Sequence, residues 1–183
     1  MSRVYVFLAD GFEEIEGLTV VDILRRAGVG TTTVSIMKNR NVMGSHQIPV
    51  TADACFEEVD FSDGELLVLP GGMPGSKYLA EHEALGTLLK DYVENGKKVA
   101  AICAAPGVLG GLGILQGKKA VCYPGVEEKL TGAEVLFDEV VQDGNVTTSR
   151  GMGTAIPFAL HLVSQLVSPE KAEELKKGII YLQ

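Results

Sequence analysis

Three observations predict an α/β sandwich with helices on both faces of a mostly parallel sheet. Strand-like and helix-like segments alternate along the chain, the strand segments are short and apolar, and turn-forming corners follow them. Alternation of this kind joins parallel strands through crossover helices, and ligands in such sheets bind beyond the carboxyl ends of the strands.

The elements read in order. Residues 3–9 (RVYVFLA) form an apolar strand, residues 14–27 a helix, and residues 32–37 a strand rich in β-branched side chains. A polar loop is expected at 38–44, followed at 47–51 by a short piece that Pro49, lacking an N–H, confines to a sheet edge. Residues 65–69 return to the core, their run LLVLP ending in Gly71 and Gly72. Residues 76–95 read as one helix stopped by Asn95 and Gly96. Residues 99–102 form a buried strand, and 104–112 a helix with Pro106 tolerated in its first turn. Next come a strand at 119–123, a short helix at 125–130 and a strand remnant at 133–136. Two β-type runs within 139–149 flank Asp143-Gly144, a dipeptide suited to a tight hairpin, and form the one expected antiparallel excursion. A long helix at 154–166 precedes a terminal helix opened by Pro169, with Glu170 in its first turn and Lys176 and Lys177 later, matching the helix dipole. No linker, repeat or low-complexity tract divides the chain, so residues 1–183 are expected to form a single domain.

Composition excludes several classes. A net charge of −8 and a pI near 4.9 disfavour nucleic-acid or anionic-membrane partners, which are held by clustered cations. The first apolar run is interrupted by Asp10 and is too short for a signal peptide, and no later run is long enough to span a membrane. Cys55, Cys103 and Cys122 are an odd set without CxxC spacing, so neither a disulfide framework nor a metal site is expected. A reducing cytoplasm fits this best. No GxxxxGK phosphate loop occurs. The histidines, His46, His82 and His161, lie far from Cys103 in sequence and read as structural or solvated.

Chemistry concentrates at VAAICAAPG, residues 99–107. It places Cys103 where a strand should stop and a helix start. Unpaired N–H groups and the positive end of a helix dipole favour the thiolate there, and Ala101, Ala104 and Ala105 leave room for a sharp nucleophile-type corner. A buried structural cysteine is the alternative. On the first helix Glu16 shares a stripe with Val20, Ile23 and Ala27. Burial would favour its neutral acid, which can donate a hydrogen bond to a thiolate; escape of the carboxylate to solvent is equally compatible with the spacing. Ile15, Leu18 and Val21 form a second apolar stripe, suited to a subunit interface or to cover by the chain's own loops. Gly71 and Gly72 either aim N–H groups at a developing oxyanion or simply turn the chain.

Five blocks in order, LADGFEEIE (8–16), VVDILRRAG (20–28), VLPGG (68–72), AAICAAPG (100–107) and TSRGMGT (148–154), resemble the DJ-one/PfpI (ThiJ) superfamily, in particular its DJ-one-like branch. The resemblance implies a flavodoxin-like three-layer α/β/α sandwich, a homodimer formed through the first helix, and a reactive cysteine hydrogen-bonded to a protonated glutamate, at Cys103 and Glu16. It also implies that the Gly72 and Ala104 amides line a small pocket bordered by the segment Arg150 to Gly153, with Arg150 and Gly151 as its site residues. Protease-like members carry a histidine after the cysteine, where this chain has Ala104, and many DJ-one-like proteins carry a later histidine where this chain has Tyr123. A cysteine–histidine peptidase is therefore disfavoured, and Glu16 is the evident proton carrier. The activity expected is that of a cofactor-free glyoxalase or deglycase acting on small 2-oxoaldehydes such as methylglyoxal, or on their protein adducts. A redox-sensing chaperone whose Cys103 oxidises to sulfinate, and an amide or isonitrile hydrolase or hydratase, are the alternatives.

Overall fold

The computed structural model describes residues 3–181. Its elements, in chain order, are β1 (Arg3–Leu8), α1 (Glu14–Arg26), β2 (Gly30–Ser35), β3 (Asn41–Met43), β4 (Pro49–Thr51), β5 (Ala54–Cys55) and β6 (Leu66–Leu69). There follow α2 (Gly75–Glu81), α3 (Glu83–Glu94), β7 (Lys98–Ile102), α4 (Pro106–Gly111), β8 (Lys119–Ala120), β9 (Glu134–Val135), β10 (Val140–Asp143), β11 (Val146–Ser149), α5 (Ala155–Leu166) and α6 (Pro169–Gly178). A seven-stranded sheet runs in the order β10-β11-β7-β6-β1-β2-β5. Only β10 and β11 pair antiparallel within it, about Asp143-Gly144 as the sequence predicts. This is a flavodoxin-like three-layer α/β/α sandwich.

The period of two along each central strand sorts side chains between the layers. Val4, Val6, Leu8, Leu66, Val68, Ala100 and Ile102 point into one core with α1 and α5. Tyr5, Phe7, Leu67, Leu69, Val99 and Ala101 point into the other, against α2, α3 and α4. Because both faces are covered, the strands are continuous apolar runs. Their register matters more for function. Leu69 lies opposite Ala101 and Ser149 opposite Ile102, so the corners after β6, β7 and β11 open side by side at one edge of the sandwich.

The structure departs from the sequence reading at several places. The helix expected at 76–95 is two helices broken at His82, whose Nδ1 accepts a hydrogen bond from the Leu85 amide at 3.1 Å and caps α3. A histidine side chain there outcompetes helix continuation, and neither Gly nor Pro marks the break. The 38–44 loop contains β3, which pairs antiparallel with β4, so the β10–β11 hairpin is not the only antiparallel excursion. The strand at 119–123 shrinks to β8, which pairs with β9 outside the main sheet, and the helix at 125–130 is one 3₁₀ turn at Glu127–Lys129. The helix after Cys103 starts two residues later than expected, at Pro106. Among the described residues no helix is long and apolar enough to cross a membrane.

Candidate active site

Cys103 ends β7 on a left-handed corner, with φ of 66°. A non-glycine residue there is strained, and it persists only where its surroundings hold it. Two hydrogen bonds do so: the Cys103 amide donates to Ser149 O at 3.0 Å, and the Tyr123 amide donates to Cys103 O at 2.8 Å. The corner is thus pinned between the end of β11 and the segment following β8. Ala104 and Ala105 leave space beside it, and the amides of Gly72 and Ala104 are directed at the sulfur, where they favour the thiolate.

Glu16 meets the cysteine from α1. It is only 1 % exposed, so the buried branch of the sequence reading is the one adopted. The first turn of α1 is stitched to the β6 corner in both directions: Glu13 N donates to Gly71 O at 2.9 Å, and Gly71 N donates to Glu16 Oε2 at 2.9 Å. The second oxygen, Oε1, is buried without a partner. Protonation eases this arrangement, since an unpartnered buried oxygen costs less on a neutral carboxyl than on a charged one, while Oε2 still accepts from Gly71. Gly71 and Gly72 are more than a turn. A Cβ on Gly71 would lie 2.6 Å from both Cys103 Cβ and Glu16 Oε2, and one on Gly72, at φ 91°, would lie 2.3 Å from Glu13 N. Only glycine lets the thiol and the carboxyl approach each other across this corner.

Electrostatics bind the two groups into one titrating unit. Burial pushes the Glu16 carboxyl up to about 7, the Cys103 thiol and the Gly71 amide pulling it back. Burial and the neighbouring Glu16 carboxylate push the Cys103 thiol up to about 12, opposed by the Ala104 and Gly72 amides. With Glu16 ionised the thiol is held protonated; the lowered thiol expected from the sequence cannot come from the helix end alone, since α4 starts only at Pro106 and desolvation opposes the charge, and it requires Glu16 to keep its proton. At neutral pH the pocket holds a single negative charge, and a nucleophilic sulfur requires that the remaining proton sit on Glu16. The other cysteines are not arranged this way. Cys122 is buried and pushed up to about 11 by desolvation and Glu127, and Cys55 is half-buried on the edge strand β5.

A cavity of about 820 Å³ opens over this pair, lined by Gly72, Ala104, Tyr123, Arg150 and Gly151 together with Cys103 and Glu16. All seven site residues named from the sequence thus meet in one place. Tyr123 is exposed at the rim, Gly151 faces Glu16 Oε1, and Arg150 stacks over Phe137 at 5.7 Å while donating to Phe137 O at 3.4 Å. The cavity also takes in Met152, within the segment expected to border it, and Met73, an apolar rim residue that no sequence pattern marked.

Sequence reasoning missed one charged member of the wall. His46 lines the cavity beside Glu13, and its Nδ1 lies 2.9 Å from Oε2 of Glu14. Glu14 is buried and receives the His46 amide at 2.7 Å and the Ser45 hydroxyl at 3.2 Å. These bonds hold its carboxyl down to about 2 despite burial. Glu13, Glu14 and His46 place potential ligand atoms within 4.8 Å of one another, but hydrogen bonds already join them. The other histidines are structural as expected: His82 caps α3, and His161 bonds to Gln142 at 3.0 Å.

Comparison with known proteins fits this geometry. The sequence profile of the DJ-1/PfpI family matches residues 2–165. The chain belongs to the DJ-1/PfpI family. Protein dj-1beta of Drosophila melanogaster is 38 % identical over 177 residues, covering 96 % of this chain and 95 % of that protein. A Caenorhabditis elegans relative named glutathione-independent glyoxalase DJR-1.2 is 37 % identical over 174 residues, covering 91 % of this chain and 89 % of its own. Among solved structures, that of oxidized Toxoplasma gondii DJ-1 superposes with a TM-score of 0.96 at 34 % identity, covering 100 % of both chains.

Proposed function

We propose that this DJ-1/PfpI family member is a cofactor-free, glutathione-independent glyoxalase or deglycase acting on 2-oxoaldehydes such as methylglyoxal, or on their protein adducts. The observation that carries this reading is the strained Cys103 corner facing a buried Glu16 carboxyl, with the Gly72 and Ala104 amides beside the sulfur. The C. elegans relative's name supports the substrate class.

The reaction follows from the site. The Cys103 thiolate attacks the aldehyde carbon, C1; a C–S bond forms and the carbonyl electron pair moves to O1, which receives the proton of Glu16. The Gly72 and Ala104 amides stabilise that oxygen as charge develops. Glu16, now a carboxylate in a dry pocket, takes the C1 hydrogen as a proton and returns it to C2, while a proton also passes from O1 to O2. The resulting thioester is hydrolysed by water. This gives a 2-hydroxy acid, restores the thiolate and releases two protons, one to Glu16 and one to solvent. A cavity of about 820 Å³ is far larger than a three-carbon aldehyde and leaves room for one attached to a peptide. Tyr123 and Arg150 would orient the substrate oxygens at the rim.

Purified protein free of other glyoxalases should form lactate from methylglyoxal without glutathione, and Cys103→Ala and Glu16→Leu should not. Absence of lactate from the intact protein would end this reading. The oxidized T. gondii relative favours a second reading, a redox sensor in which Cys103 becomes a sulfinate held by Glu16. Mass spectrometry after mild peroxide separates the two: the sensor requires oxidation confined to Cys103, and oxidation spread over Cys55 and Cys122 counts against it. In either role we expect a cytoplasmic homodimer without nucleic-acid, membrane or metal partners. Of the stripe expected to meet the partner subunit, Ile15 is 49 % exposed and Leu18 half-buried, whereas Val21 is already buried within its own chain.

A further inference from the structure

The glyoxalase reaction moves two protons between neighbouring atoms. One passes from carbon C1 to carbon C2, the other from O1 to O2. Glu16 cannot hold the carbon-bound proton and relay the oxygen-bound one in the same step, and Tyr123 is a phenol, a weak acid near neutrality. A second proton carrier must reach the cavity.

We propose that His46 is that carrier: a catalytic acid–base group, oriented by the buried carboxylate of Glu14, that gives the Nε2 proton to O2 and takes the proton of O1. The proposal rests on the glyoxalase reading and assigns its missing proton path. Its geometry is that of an oriented imidazole. The Nδ1–H donates to Glu14 Oε2 at 2.9 Å, the His46 backbone amide donates to Glu14 Oε1 at 2.7 Å, and the Ser45 hydroxyl bonds to Glu13 and Glu14, each at 3.2 Å. Backbone and ring are therefore fixed to the same carboxylate. That carboxylate side chain is 5 % exposed while the imidazole is 66 % exposed, so the buried partner holds the ring, and His46 forms part of the cavity wall. A ring whose Nδ1–H is held by a carboxylate presents Nε2 as the working nitrogen.

The transfer balances. Imidazolium Nε2–H protonates O2 as the enediolate collects charge there; the neutral ring then accepts the proton leaving O1 as the thioester carbonyl forms, and His46 ends as it began. The charged groups around it favour the imidazolium at the start. Glu14 is the main one, Glu13 the second at 3.5 Å, and together they raise the His46 ionisation above its usual value of 6.5. Asp10 lies behind this segment, holding the Met43 amide at 2.8 Å, and Glu16 and Arg150 face it across the cavity.

The test compares wild type, His46→Gln and Glu14→Gln in steady-state lactate formation from methylglyoxal across pH 5.5–9.5, with iodoacetamide alkylation of Cys103 measured in parallel. Removing one general acid–base group costs on the order of 10²-fold in kcat. The proposal expects that loss in His46→Gln, disappearance of the alkaline fall in kcat, and an alkylation rate within about twofold of wild type, since the thiolate does not depend on His46. Glu14→Gln should keep measurable activity with the alkaline fall moved to lower pH. Wild-type activity equalled by His46→Gln, or an alkaline fall that survives in it, overturns the proposal and leaves the glyoxalase reading standing. No lactate from wild type overturns both.

Discussion

Replacing Glu16 by Gln separates what the buried carboxyl does for catalysis from what it costs the fold. The amide has the same shape, its oxygen can accept from the Gly71 amide as Oε2 does, and it cannot ionise. In the folded protein the pair that Glu16 forms with Cys103 loses its first proton at about 7 instead of the carboxyl's ordinary 4.5, because burial penalises the charge. Its folded pKa is raised, so between pH 4.5 and 7 the native state binds the proton more tightly than the unfolded chain, and stability falls as pH rises through that window. At 1.36 kcal/mol per pH unit this amounts to about 3 kcal/mol, fully developed above pH 7. Urea unfolding of wild type and Glu16→Gln should therefore give near-equal stabilities at pH 4.5 and a variant more stable by about 3 kcal/mol at pH 8. The titrations of His46 and His161 occur in both proteins and cancel in the difference. If the difference is the same at pH 4.5 and pH 8, the Glu16–Cys103 pair does not lose its first proton near 7 and the proton chemistry assigned to Glu16 fails.

Three further outcomes follow from the same geometry. Gly71→Ala places a methyl 2.6 Å from Cys103 Cβ and Glu16 Oε2; it should destabilise by about 1–3 kcal/mol, read by thermal or urea unfolding, and slow Cys103 alkylation as the pair is pushed apart. Glu14, held down to about 2, contributes stability that is present above pH 4.5 and lost as pH falls through 2. Its His46 partner is 66 % exposed and screened, so the loss is about 1–2 kcal/mol; wild type should lose that much more than Glu14→Gln between pH 4.5 and 2.5 by urea unfolding. Ile15→Glu charges an exposed position on α1 and should shift the sedimentation equilibrium toward monomer, whereas an unchanged distribution would remove α1 from the interface.

Much of this is legible in the sequence. The alternation of apolar strands with helices set the layer order, because a strand covered on both faces must be apolar throughout. Cys103 and Glu16 stood out for a related reason: each places chemistry where burial or backbone geometry opposes it. Gly71 and Gly72 were only half legible, since a Gly-Gly after a strand looks the same whether it turns or makes room. His46 was not legible. Its role depends on β3 and β4 folding a polar segment back over α1, a contact between residues 31 to 33 positions apart that no local pattern encodes. The break at His82 escaped likewise, because an imidazole cap resembles any other residue within a helical period.

The central claim is that the remaining proton of the Cys103–Glu16 pair sits on the carboxyl when the sulfur is ionised. The pH dependence of Cys103 alkylation in wild type, Glu16→Gln and Glu16→Leu tests it directly. A protonated Glu16 donating to the thiolate gives a wild-type midpoint below the roughly 8.5 of a free thiol, and removal of the donor raises that midpoint, most in Glu16→Leu. A wild-type midpoint at or above about 8.5, or one that falls when Glu16 is removed, would mean that Glu16 is a carboxylate repelling the thiolate, and would contradict the account.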